Sequence, residues 1–117
     1  LEELMNTTEM SNFIAKAASD KKARDIVMLD MRNISIITDY FIVCSANSTT
    51  QVKAIADNIE DELAKQNFNF KSKEGYREGR WVLLDYCDCV VHIFLDEDRE
   101  FYNLERLWSE APQIKYE

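Results

Sequence analysis

The sequence predicts a single α/β domain, a mixed sheet of about five strands flanked by helices. Three observations predict it. Apolar residues recur at helical spacing in two well-separated stretches, short apolar runs bounded by polar residues recur between and after them, and the two patterns alternate along the chain. At 117 residues there is enough chain for one core, and residues 1–117 read as one domain with no linker, repeat or break.

Each element has its own signal. Met10, Phe13, Ile14, Ala17 and Ala18 fall on one helical stripe, which predicts a first helix over about Thr8–Lys21. Asp25–Asp30 (DIVMLD) is a short apolar run between charges, a strand buried on both faces, and Tyr40–Ser45 (YFIVCS) is a second. Ser48 with Gln51 three residues on has the capping-box spacing. The helix it opens, about Thr49–Gln66, aligns Val52, Ile55, Ala56, Ile59 and Leu63. Phe68 and Phe70 alternate with polar residues and predict a half-exposed edge strand. Trp81–Tyr86 and Cys89–Leu95 form a hairpin around Cys87-Asp88, and a final helix over about Arg99–Trp108 aligns Phe101, Leu104 and Trp108. The expected order is α-β-β-α-β-β-β-α.

Composition limits the function classes. With 46% hydrophobic and 31% charged residues the chain is globular rather than disordered. No apolar run approaches the roughly 18 to 20 residues of a spanning helix. LEELMNTTEM has no basic stretch leading into an apolar one, so a cytoplasmic protein is expected; Leu1–Leu4 stand before the first methionine, Met5. Residues 1–73 carry 9 basic and 11 acidic side chains, a net of −2, and residues 74–117 carry 5 and 11, a net of −6, which together make −8. Such a surface repels nucleic-acid phosphates, so direct sequence-specific nucleic-acid binding is not expected. It attracts a basic protein partner, although solubility alone also accounts for it.

Candidate chemistry is sparse. Cys44, Cys87 and Cys89 are too few for a closed zinc site; Cys87 and Cys89 with His92, the only histidine, would make three ligands, but strand alternation sends His92 to the face opposite both cysteines. An odd, low cysteine count fits a reducing compartment. His92 lies within an apolar strand, where a structural histidine is commoner than a catalytic one. Neither of the usual glycine-rich phosphate loops occurs. Asp96-Glu97-Asp98 contains the D-x-D pair with which nucleotidyltransferases hold magnesium, but the Gly-Ser turn that accompanies it is absent: Ser45-Ala46-Asn47-Ser48 lacks the glycine. A solvated acidic turn favourable to a helix dipole explains the carboxylates more simply. No catalytic residue, metal ligand or cofactor site is therefore expected.

The aromatics remain. Trp81, Tyr86, Phe94, Tyr102 and Trp108 cluster, with Tyr76 nearby. Trp81, Leu83 and Asp85 share one strand face and Val82, Leu84 and Tyr86 the other, so both faces are mostly apolar. Either helices cover both faces or one of them docks a partner.

The residues that complete this pattern are Ser35–Ser45 (SIITDYFIVCS) with Ser48, Glu74-Gly75, Trp81–Asp85 (WVLLD), Asp88, Val91–Phe94 (VHIF), Arg99, Tyr102 and Leu104–Trp108 (LERLW). In this ordered set, over about residues 6–112, the chain resembles the ribosomal silencing factor family, also called Iojap-like. It departs from the family at Cys87, where a glycine is usual in the hairpin turn, and at Ala46, in a turn often richer in glycine. The resemblance implies a nucleotidyltransferase-like fold without a working active site. It also implies binding to the large ribosomal subunit through ribosomal protein fourteen, steric blocking of small-subunit joining, repression of translation, and a homodimer when free. On this reading Trp81 is the apolar anchor of the docking face, with Tyr76, Asp85, Asp88, Arg99 and Tyr102 as its neighbours. The competing readings are a nucleotidyltransferase-like enzyme and a factor in large-subunit assembly.

Overall fold

The structure, a computed structural model, describes residues 5–116; Leu1–Leu4 and Glu117 lie outside them. Helix α1 (Thr7–Ser19) leads to strands β1 (Arg24–Asp30) and β2 (Tyr40–Ala46), then α2 (Thr49–Lys65), β3 (Ser72–Glu74), β4 (Trp81–Asp85) and β5 (Cys89–Leu95). Two short helices, α3 (Asp96–Tyr102) and α4 (Leu104–Leu107), and the strand β6 (Gln113–Lys115) complete the chain. The strands form one six-stranded sheet in the order β3-β4-β5-β2-β1-β6. The central pair β2–β5 is parallel and every other pair antiparallel.

The α/β class, the mixed sheet and the two long helices agree with the sequence pattern. The α2 stripe is buried at all five expected positions. It packs with Ile14, Ala17 and Ala18 of α1 against Ile42, Cys44, Val82, Leu84, Val91 and Ile93 on one face of the sheet, making the larger core. Burial of each such aliphatic side chain stabilises the fold by about 1.5 to 3 kcal/mol.

The opposite face holds a smaller core of Val27, Leu29, Met31, Val43, Phe94, Leu104 and Ala111. Its cover is thin: α3 buries no residue and α4 buries only Leu104.

Four local expectations need correction. The edge strand is Ser72–Glu74, not the Phe68–Phe70 stretch. It is polar because pairing to β4, Ser72 to Asp85 and Glu74 to Leu83, holds it rather than burial. Phe68 instead packs on the larger core.

The single C-terminal helix is two, because Asn103 adopts a left-handed conformation (φ 46°, ψ 62°) and its N–H turns back to the Arg99 carbonyl at 2.8 Å. Phe101 and Leu107 consequently face outward, while Leu104 is buried.

A sixth strand, β6, pairs with residues 27–29 of β1. All three of its residues are exposed, so it has no apolar alternation to read.

At the start of α2, Ser48 Oγ accepts from the Gln51 N–H at 3.1 Å, but the Gln51 side chain accepts from Asn47 N–H, not from Ser48. The complete capping box is at α1, where Asn6 and Glu9 accept each other's backbone N–H.

Candidate functional site

Register across the three central strands determines what the thinly covered face presents. Phe41, Val43 and Ser45 of β2 lie beside Val90, His92 and Phe94 of β5, which lie beside Asp85, Leu83 and Trp81 of β4. Helices α3 and α4 reach only part of this surface. The remainder is a groove of about 360 Å³ walled by Met31, Ile37, Phe41, Leu83, Val90 and Trp108, with Ser35, Thr38, Glu74, Asp85 and His92 as its polar members. Ile37 of its wall is exposed, as are Ile36 next to it in the chain and Phe101, Tyr102 and Leu107, which line a second hollow. Exposed apolar side chains that group in this way mark an interaction surface.

Trp81 is half-buried on this face. Its indole stacks on Phe94 (4.8 Å between centroids) and against Tyr102 (4.7 Å), and its Nε1–H donates to His92 Nδ1 at 3.2 Å. With Nδ1 accepting, the neutral ring carries its proton on Nε2. That nitrogen is buried and has no partner among the described residues. Burial pushes the His92 pKa down to about 4, so the ring is neutral near pH 7 and a poor general base. Its bonded partner is an indole, not a nucleophile.

The other candidate chemistry is dispersed by the fold. Burial pushes the Cys44 and Cys89 thiols up to about 12. Cys89 belongs to the helix-covered core while His92 faces the groove, as strand alternation predicts. Among the described residues no three His, Cys, Asp or Glu side chains are grouped to hold a metal ion.

The D-x-D carboxylates diverge. Asp96 pairs with Arg24, whereas Arg80 donates to both oxygens of Asp98 at 2.7 and 3.3 Å. Arg99 closes the adjacent polar hollow, donating to the Asp25 carbonyl (2.6 Å), Ser45 Oγ (2.9 Å) and Glu105 (3.0 Å). These acidic groups already have cations.

Of the residues expected at the docking face, the fold brings Trp81, Asp85 and Tyr102 together on the open side of the sheet. Asp85 lines the groove and accepts from the Cys87 N–H at 2.7 Å, pinning the hairpin turn. The Asp88 side chain is exposed at that turn, and its carbonyl accepts from Thr38 Oγ1 and from the N–H groups of Asp39 and Tyr40, tying the turn to the groove wall.

Two residues lie elsewhere. Tyr76 packs toward the larger core on the α2 side, with its hydroxyl donating to Asp57 at 3.1 Å and the Lys53 and Lys73 ammonium groups over its ring. The Arg99 side chain is mostly enclosed by the bonds just described. Both are held by scaffold contacts rather than presented beside Trp81. Alternation had put Leu83 on this face with Trp81 and Asp85, but the pattern did not point to Phe41 or to the exposed Ile37 as groove residues. The signal for Ile37 was the S-I-I-T-D stretch, two apolar residues inside a polar loop.

Comparison with known proteins agrees with this arrangement of parts. Residues 5–117 match the family model described as "Ribosomal silencing factor during starvation". The chain is 46% identical over 108 residues to ribosomal silencing factor RsfS of Bacillus subtilis, covering 92% of each protein. It is 39% identical over 102 residues to the chloroplastic protein Iojap of Zea mays, covering 87% of this chain and 44% of that protein. A crystal structure of a Chromobacterium violaceum protein superposes with a TM-score of 0.87 at 34% identity, covering 90% of this chain and 88% of the other. The corresponding values for a Bacillus halodurans protein are 0.83, 40%, 93% and 99%. With the matched region spanning nearly the whole chain in sequence and in fold, this chain belongs to the ribosomal silencing factor family.

Proposed function

We propose that this protein binds the large ribosomal subunit through ribosomal protein fourteen, blocks small-subunit joining by occupying the joining surface, and so represses translation. The observation that carries the reading is the open apolar groove, with Trp81 bonded to its His92 and stacked on Tyr102, in a member of a family of silencing factors. Large, partly exposed aromatics flanking a pocket are the usual anchors of a protein interface. The acidic C-terminal part of the chain favours a basic, rRNA-associated protein as the partner. Steric exclusion needs no catalytic group, and the pairing of the D-x-D carboxylates with Arg24 and Arg80 supports that reading.

Trp81, Asp85 and Tyr102 form the centre of this docking face, with Asp88 at its edge; Arg99 braces the same side through Ser45, and Tyr76 supports the sheet from behind. When free, the protein is a homodimer, which shields the exposed apolar rim from water. It acts in the cytoplasm; no helix among the described residues is long and apolar enough to cross a membrane.

Sedimentation of bacterial ribosomal subunits through sucrose gradients tests the reading. Added protein should co-migrate with the large subunit and reduce joined ribosomes. Unchanged joining at saturating protein would refute silencing. A role in large-subunit assembly is the second reading, favoured by a 30% identical mouse relative named "Mitochondrial assembly of ribosomal large subunit protein 1". It predicts co-migration with immature large-subunit particles rather than with mature ones.

A further inference from the structure

Trp81 is the first residue of β4 and stands beyond the reach of the edge strand. Strand β3 pairs with β4 only at Leu83, Leu84 and Asp85, so Trp81 has a strand neighbour on the β5 side alone, where it pairs with Phe94. Its ring rests on Phe94 at 4.8 Å and against Tyr102 at 4.7 Å, with interplanar angles of 29° and 44°. Contacts between ring faces hold a plane but not a direction. Turning the indole over about its outer side-chain torsion keeps the stack and sends the N–H to the other side. The directional contact of this side chain is the hydrogen bond from Nε1–H to His92 Nδ1 at 3.2 Å.

The histidine is itself fixed. It lies on β5 between β2 and β4, paired with Val43 and Leu83, and Phe41 closes edge-on against its ring at 4.8 Å and 68°. The bond to Trp81 is the one hydrogen bond the ring makes among the described residues, and Nε2 is buried without a partner. A phenyl or leucine side chain would fill this apolar site without leaving a buried donor unsatisfied. Packing alone therefore gives no reason for a histidine here, whereas the acceptor it turns toward Trp81 does.

We propose that His92 is a positioning residue of the docking face: from within the sheet it fixes the Trp81 indole in the orientation that meets the partner, without touching the partner itself. The indole's one polar group is thereby used inside the fold, and Trp81 offers the partner ring carbon alone. The partner group over it is accordingly apolar, an aliphatic side chain or the methylene stem of a lysine or arginine, not a hydrogen-bond acceptor. Released from His92, the indole populates both orientations, and one of them sets its N–H against that apolar group. This rests on the docking reading above and adds how its anchor is set and what the anchor reads.

The test measures the affinity of purified bacterial large ribosomal subunits for the full-length protein and its variants, each first checked for cooperative melting. His92→Phe keeps the ring volume and removes the acceptor. Near neutral pH it should melt within about 5 °C of the parent yet bind about tenfold more weakly. His92→Asn restores an acceptor close to the Nδ1 position and should recover most of that loss. In the Trp81→Phe background, which has no indole N–H, adding His92→Phe should change affinity by less than about twofold, because positioning works through that one bond. The free protein gives a second readout. The chain has two tryptophans, so Trp81→Phe identifies which indole N–H resonance belongs to Trp81. Hydrogen exchange at that N–H should quicken in His92→Phe and slow again in His92→Asn.

A folded His92→Phe variant that binds as tightly as the parent overturns the positioning role and leaves docking intact. An equal loss with and without the Trp81 indole overturns it too, since His92 would then act by another route. If His92→Phe melts early, His92→Leu supplies the acceptor-free comparison, and exchange of the Trp81 N–H as slow as the parent's in that variant overturns the proposal. Failure of the parent itself to bind large subunits removes the docking reading, and this proposal with it, whatever the exchange rates show.

Discussion

Lowering the pH should destabilise this fold through one side chain, and the size of the effect follows from where that side chain sits. His92 is 5% exposed, and burial pulls its pKa from the ordinary 6.5 down to about 4. Protonation would also place an N–H at Nδ1 against the Trp81 indole N–H that it now accepts. The nearest carboxylates on the same groove, Glu74 and Asp85, stand at its end rather than beside the ring nitrogens. Between pH 6.5 and 4 the unfolded chain takes up a proton on this residue and the native protein does not. Stability contributed by the neutral ring is therefore present above pH 6.5 and is lost as the pH falls toward 4. The gap between the two values corresponds to about 3 kcal/mol, a large share of the stability of a domain of this size. Urea denaturation from pH 7.5 to 4, run on the parent and on His92→Phe, isolates the term because carboxylate contributions cancel in the difference. The variant should gain about 3 kcal/mol on the parent as the pH falls from 7.5 to 4. Parallel stability profiles would show that His92 titrates normally and refute the buried, neutral assignment.

The same contacts set the outcome of other perturbations. Trp81→Ala should fold with a loss of about 2 kcal/mol, less than a full core truncation because the indole is half-exposed. It should nevertheless bind large subunits about 30- to 1,000-fold more weakly; full-strength binding by the folded variant would refute the anchor. Gly75→Ala should cost roughly 3 kcal/mol or more in denaturant midpoints, since a Cβ there would meet the Trp81 carbonyl oxygen at 2.0 Å with φ at +77°. Cys87→Gly should raise stability by about 1 kcal/mol, because Cys87 holds φ at 71° in the hairpin turn; an unchanged melting temperature would show that the turn is unstrained. Calorimetry with magnesium and each nucleoside triphosphate should give no isotherm, and a clear one abolished by Asp96→Asn with Asp98→Asn would overturn the non-enzymatic reading.

Helix α2 was legible because burial on one side only writes a stripe into the sequence, and Val52, Ile55, Ala56, Ile59 and Leu63 carry it without interruption. The β4–β5 hairpin was legible because two apolar runs flank a polar turn. What escaped notice is held by pairing or backbone conformation rather than by burial. Strand β3 is Ser-Lys-Glu and β6 is wholly exposed, so neither differs in pattern from a loop. The helix break at Asn103 rests on one left-handed residue, a conformation asparagine tolerates but does not announce. For the site, alternation placed Trp81, Leu83 and Asp85 on one face and separated Cys89 from His92. Nearness in sequence misled at Tyr76, because the Gly75–Gly79 turn folds its ring back toward α2.

The two faces of the function question meet on one sheet. In open α/β sheets with parallel strands, ligands gather at the carboxyl ends of those strands. Here those ends belong to β2 and β5, and the polar hollow beside them is lined by Asp25, Ser45, Asp96, Arg99 and Glu105. Several of its polar groups are already bonded: Arg24 takes Asp96, and Arg99 takes Glu105, Ser45 and the Asp25 carbonyl. A ligand entering there would have to break these contacts and replace them. Open apolar surface lies instead toward the amino ends of the same strands, where Phe41, Val90 and Leu83 leave a trough that α3 and α4 are too short to cover. His92, Glu74 and Asp85 line that trough, and neither carboxylate makes an ion pair among the described residues. Of the two ends of these strands, the amino end is the one that leaves apolar area open, and it is there that the proposed partner has surface to bury.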